Sequence, residues 1–107
     1  MIEIEKGSGN VYADLGFSDA EEMLIKARLV TKIGDIIKNR KLTQKEAAKI
    51  MGMTQGKVSK MLRGQFHGIS QTKLIDCLTR LGRDVQIVVG PSRRKKTAGK
   101  VAVVFAA

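Results

Sequence analysis

Apolar residues recur at helical spacing in four stretches of the chain, and a polar capping residue precedes each stretch. The longest, 19–39, predicts a helix because its apolar positions fall three or four residues apart on one face. Ser18 and Glu21 have the spacing of a capping box at its start. The central apolar positions of this stretch are Ile25, Leu29, Ile33 and Ile36.

Two short helices joined by a tight turn are predicted next. Thr43 is a capping residue with Glu46 three positions later, and Gly52 ends the second helix because glycine tolerates positive φ. Thr54 caps the third helix, which ends at Gly64. The predicted buried face of the third helix consists of Val58, Met61 and Leu62.

A fourth helix and a short strand are predicted after this pair. Ser70 caps the helix and Gly82 closes it, and the strand 84–89 stops at Gly90. A lone strand is marginal in water. We expect it to pair with its copy in a second subunit through Val85, Ile87 and Val89, although pairing with 2–5 of the same chain is the alternative.

The chain divides into an irregular N-terminal arm (1–17), a helical domain with its strand (18–90) and a basic, flexible tail (91–107). A length of 107 residues suits one small domain. A single cysteine, Cys77, excludes an internal disulfide framework, and one histidine, His67, makes a zinc site implausible. No cofactor, metal or catalytic pairing is predicted, so an enzyme is not expected.

Charge is distributed unevenly along the chain. Residues 1–37 hold 4 basic and 7 acidic side chains, whereas 38–107 hold 16 basic and 3 acidic ones. A basic half favours a polyanionic partner, most often nucleic acid. Aromatic side chains are few, which argues against a protein that binds single-stranded nucleic acid by stacking bases on aromatic rings.

The helix pair within 42–64 meets the physical demands of a helix-turn-helix unit. Ala47 and Ala48 are small enough for a close crossing, Gly52 allows the turn, and Val58 anchors the third helix inward. The outward face then presents Gln55, Lys57, Ser59, Lys60 and Arg63. Such a helix suits a DNA major groove, and no apolar run is long enough to span a bilayer. We therefore expect a cytoplasmic, nucleoid-associated protein.

The residues 42–64 resemble the helix-turn-helix of the lambda-repressor/Cro-like (XRE) family. The resemblance is carried by Thr43-Gln44, Ala48, 51–55, Val58-Ser59 and 62–64. It implies an all-α, four- to five-helix lambda-repressor-like domain with a short C-terminal β-strand. A wider, less specific match over about 7–90 resembles small antitoxins of the HigA-like kind.

The resemblance also implies roles for individual residues. It gives Gln44 a backbone phosphate contact and Gln55 a base-edge contact, which suits adenine N6 and N7. Some family members carry a small polar residue that contacts a base at the position of Gly56, but glycine has no side chain to make such a contact. Lys57, Ser59 and Lys60 are further candidates for bases or sugar-phosphate. Phosphate contacts are expected at the start of the third helix, Thr54, and near its end, Arg63 and Gln65.

One recognition helix covers few base pairs, so a homodimer on a pseudo-palindromic double-stranded operator is expected, with half-sites ~34 Å apart. The favoured hypothesis is an autoregulating repressor that also neutralises a RelE/HigB-like toxin. A stand-alone or phage-type XRE regulator is the alternative of the same class. An interaction module without specific DNA binding is the alternative of another class.

Overall fold

The computed structural model describes residues 19–92 and 98–106, and their regular structure is four α-helices. These are α1 (Ala20–Asn39), α2 (Gln44–Met51), α3 (Gln55–Leu62) and α4 (Gln71–Arg80). The predicted all-α class is confirmed, with four helices in the described residues where four to five were expected. The predicted N-terminal arm and its strand-like residues 2–5 lie outside the described residues, as does the run 93–97.

The N-cap of helix α1 lies one residue later than predicted. Asp19, not Ser18, is the N-cap residue, and its side chain makes no capping hydrogen bond. The carboxylate turns instead toward His67, whose Nε2 lies 3.0 Å from Asp19 Oδ2. Ser18 lies outside the described residues, so the predicted capping box with Glu21 is not described either.

The three shorter helices begin at the predicted caps. Thr43 Oγ1 accepts the Glu46 N–H at 3.0 Å, and Glu46 Oε1 accepts the Thr43 N–H at 2.9 Å, which completes a capping box. The hydrogen bond that the Thr43 backbone N–H donates to the Glu46 carboxylate is the main cause that lowers the pKa of Glu46, and the Thr43 side chain lowers it further. Ser70 Oγ caps α4 by accepting the Lys73 N–H at 3.1 Å. Local side-chain chemistry therefore sets these starts.

A single apolar core joins the helices. Helix α1 packs against α3 and α4, and α2 packs against both of the same helices. The largest side chains that are less than 2 % exposed are Ile33, Met51, Val58, Met61, Leu74 and Cys77. Val58 and Met61 are thus core residues, as predicted, whereas Leu62 is half-buried. Burial also raises the pKa of the Cys77 thiol, as expected for an inert cysteine.

The predicted strand at 84–89 is wrong. Residues 83–92 and 98–106 contain no strand, although both segments lie beside α1 and α4 around an open groove of about 1010 Å³. Strand structure requires a hydrogen-bonding neighbour, which a lone segment does not supply. Val103 packs against the core, and Lys32 Nζ lies 5.3 Å from the Phe105 ring centre. No helix of the described residues has the length and apolar character to cross a bilayer.

Candidate nucleic-acid interface

The crossing of α2 and α3 is built from small residues and one left-handed turn. Ala47 and Ala48 are buried between the helices, and Val58 anchors α3 from the other side. Gly52 adopts φ 66°, and the Met53 N–H donates to the Ala48 carbonyl at 3.0 Å. This geometry closes α2 in the manner of a glycine C-cap and starts α3 three residues later.

A charged cluster on α4 holds this turn from outside the helix pair. Lys73 Nζ donates to the Met51 carbonyl at 2.9 Å, which is one of the carbonyls that a helix end leaves unpaired. Asp76 Oδ2 lies 3.3 Å from Lys73 Nζ and 2.9 Å from Arg80 Nε. The hydrogen bond from Lys73, together with Arg80, lowers the pKa of Asp76. A Cβ on Gly52 would lie 3.0 Å from the Arg80 guanidinium, so the cluster packs directly on the turn.

The loop after α3 is held by α1. Lys26 is 5 % exposed, and its Nζ donates to the His67 carbonyl at 3.0 Å and lies 3.4 Å from Glu22 Oε1. Phe66 and Ile69 anchor the same loop in the core. Helix α3 is therefore held by α4 at the turn that precedes it and by α1 at the loop that follows it.

The outward surface of α3 carries the predicted contact residues. Those exposed there are Thr54, Gln55, Lys57, Lys60, Arg63 and Gln65, whereas Ser59 is half-buried. Gln44 is exposed at the first position of α2. The stretch 54–65 contains no acidic residue. We call these eight side chains the recognition surface.

The Thr54 hydroxyl already takes part in a hydrogen bond within the protein, which leaves it less available for a contact with DNA. Its Oγ1 accepts the Lys57 N–H at 3.2 Å and so caps α3. The N–H groups of Gln55 and Gly56 also belong to the first turn, where no carbonyl four residues back is available. The start of α3 therefore offers N–H donors and a positive dipole end to an anion.

Several residues that position the recognition surface were not predicted from the sequence. Two lysines, Lys26 and Lys73, bind backbone carbonyls that are far away in the sequence. Asp76 and Arg80 pair with each other across one turn of α4, beside Lys73. Helical periodicity reports which face a residue occupies, but it does not report which distant carbonyl a lysine reaches. No cluster of three potential metal-binding side chains occurs within 19–92 and 98–106.

Comparisons with known proteins agree on the class of this fold. The family model described as "Helix-turn-helix domain" matches residues 11–90. A solved structure provisionally named as an XRE family transcriptional regulator is 35% identical, with a TM-score of 0.75. The match covers 82% of this chain and 99% of that one. No curated protein matches the chain. The chain therefore belongs to the XRE family of helix-turn-helix proteins.

Proposed function

We propose that this protein is a sequence-specific regulator that binds double-stranded DNA through α3. The observation that carries the proposal is the recognition surface: a capped helix, held at both ends, presents amide and cationic side chains without a carboxylate. A helix with its side chains is about as wide as the major groove, roughly 12 Å. The N-terminal part of such a helix contacts base edges.

Several members of the recognition surface have side chains whose chemistry suits a particular contact with DNA. The Gln55 amide suits bidentate pairing with adenine, and Lys57 flanks it on the same turn. Gln44, at the start of α2, suits a phosphate contact that fixes the docking angle. Arg63 and Gln65 are positioned for phosphates beyond the bases. Ser59, being half-buried, and Lys60 complete the surface.

The test is binding to the DNA upstream of the protein's own reading frame. We define selectivity as the ratio of affinity for this DNA to affinity for a shuffled duplex of the same composition. Selectivity well above one is expected. Lys57, Lys60 and Arg63 in two subunits give six cations, so affinity should fall by about 1000-fold between roughly 50 and 200 mM salt. Equal affinity for both duplexes would contradict the proposed function.

A dimer is part of the proposal because one α3 reads too few base pairs for specific affinity. Ile87, Val88 and Val89 are 80–91% exposed on an extended segment next to the α1–α4 groove. β-Branched side chains at such exposure favour burial against a partner. Antiparallel pairing of two copies about Ile87 would place Val85 of one copy opposite Val89 of the other.

Replacing Ile87 with aspartate is expected to convert the dimer to monomers. Two copies of the segment would then bring like charges together at the centre of the pairing. Light scattering at fixed concentration measures the mass. Thr72→Asp, which adds the same charge at an exposed position on α4, is the control and should remain dimeric. A dimer that persists in Ile87→Asp would place the interface elsewhere.

We further propose that the protein is an antitoxin that represses its own promoter and sequesters a basic, RNA-cleaving toxin of the RelE/HigB-like kind. The support is the resemblance over 7–90 and the acidic charge of the first turn of α1. Glu21 and Glu22 are exposed in the first turn of α1, away from the basic recognition surface in sequence. An acidic surface steers a basic partner toward it.

Co-expression with the product of the neighbouring reading frame tests the antitoxin role. A small basic protein that co-purifies with this chain and loses binding to a Glu21→Lys variant is the expected result. Asp35→Lys, which makes the same charge change at another exposed position of α1, should retain it. A neighbour that does not co-purify would favour the stand-alone regulator.

A further inference from the structure

Gly56 occupies an unusual place on α3. It is the second residue of the helix, and it is exposed. Successive residues of a helix turn by 100°, so Gly56 lies opposite the buried Val58 and Met61. The position at the centre of the outward surface, next to Gln55 and Lys57, therefore carries no side chain.

Nothing in the fold requires glycine there. A Cβ added to Gly56 would have no described atom within 4 Å, and its φ is not among the positive values. Gly52 differs, because it needs its positive φ and has Arg80 against it. After proline, glycine is the least favourable residue in a helix. The fold alone would thus favour alanine at position 56.

We propose that Gly56 determines specificity by leaving room for the edge of a base pair to approach the α3 backbone. The inference rests on the proposed DNA binding and deepens it. Glycine permits close approach of a backbone to a ligand because no Cβ intervenes. Gln55 and Lys57 then lie on either side of the approaching base pair, and the α3 axis can lie deeper in the groove than a side chain at 56 would allow.

The geometry makes stability and binding move in opposite directions. Gly56→Ala should raise the melting temperature by roughly 2–5 °C, because alanine restricts the unfolded chain and suits the helix. The same methyl group should lower the affinity for the upstream DNA by about tenfold, as the loss of one good base contact does. Affinity for shuffled DNA, which depends on phosphate contacts, should change little.

Gly34→Ala is the matched control. Gly34 lies within α1, and a Cβ there would be 3.5 Å from Leu62 Cδ2, an ordinary van der Waals distance. This variant should also gain stability, but it should keep the wild-type affinity for both duplexes. It separates the effect of a stiffer helix from the effect of a side chain at position 56.

The experiment measures melting by circular dichroism and affinity for both duplexes by fluorescence anisotropy. A Gly56→Ala protein that is more stable but less selective supports the inference. Unchanged or tighter binding to the upstream DNA overturns it, and so does an equal loss on both duplexes. A wild-type protein without selectivity contradicts the proposed function, and the role of Gly56 with it.

Discussion

The double substitution Gln55→Ala/Lys57→Ala is expected to lower the affinity for the upstream DNA by about 100-fold or more. Each good bidentate contact to a base contributes roughly 1–3 kcal/mol of discrimination, and a dimer makes it in both half-sites. Affinity for shuffled DNA should fall far less, since the lysine contributes only one charge per subunit. Selectivity should therefore be lost, as measured by titration of both duplexes.

The matched control is Lys49→Ala, which removes the same charge from an exposed position on α2. It should keep the selectivity of the wild-type protein. Neither change touches the core, so the circular dichroism spectra should coincide. If the Gln55/Lys57 variant retained full selectivity, α3 would not be the element that reads the bases.

Leu74→Ala is expected to lower the free energy of unfolding by about 2–5 kcal/mol. Leu74 is fully buried on α4, the helix that packs on α1 and α2. Alanine removes its apolar surface from the core and leaves a cavity that the surrounding helices fill only in part. For a domain of this size the melting temperature should fall by about 10 °C or more.

Leu62→Ala provides the comparison for this effect, because Leu62 is the same residue type but is half-buried on α3. Its loss of stability, measured by urea denaturation under the same conditions, should be clearly smaller. An equal or smaller loss for Leu74→Ala would contradict the burial of Leu74 between α4 and its neighbouring helices.

Helix starts could be predicted because their determinants are local. Thr43, Thr54 and Ser70 each cap a helix through a residue three positions later, so a short stretch of sequence contains both partners. Gly52 was predictable for the same reason, since a left-handed turn between two helices favours glycine. The general location of the recognition surface followed from these points.

What could not be predicted depends on distant partners. Lys26 binds the His67 carbonyl across 41 positions of sequence, and Lys73 reaches Met51 across 22. Asp19 turned to His67 rather than to its own helix. The segment 84–89 has the alternation of apolar and polar residues that is typical of a strand. Alternation does not show whether a second strand is present to form the hydrogen bonds, and no such strand lies in the described part of the chain.

The central claim is that α3 reads bases from the major groove, and methylation protection on the upstream DNA tests it most directly. Dimethyl sulfate modifies guanine N7 in the major groove and adenine N3 in the minor groove, so one reaction reports both faces. We predict protection of guanine N7 in two patches about one helical turn apart, with adenine N3 unprotected. Protection confined to adenine N3, or no protected patch under conditions where the protein binds, would contradict the account.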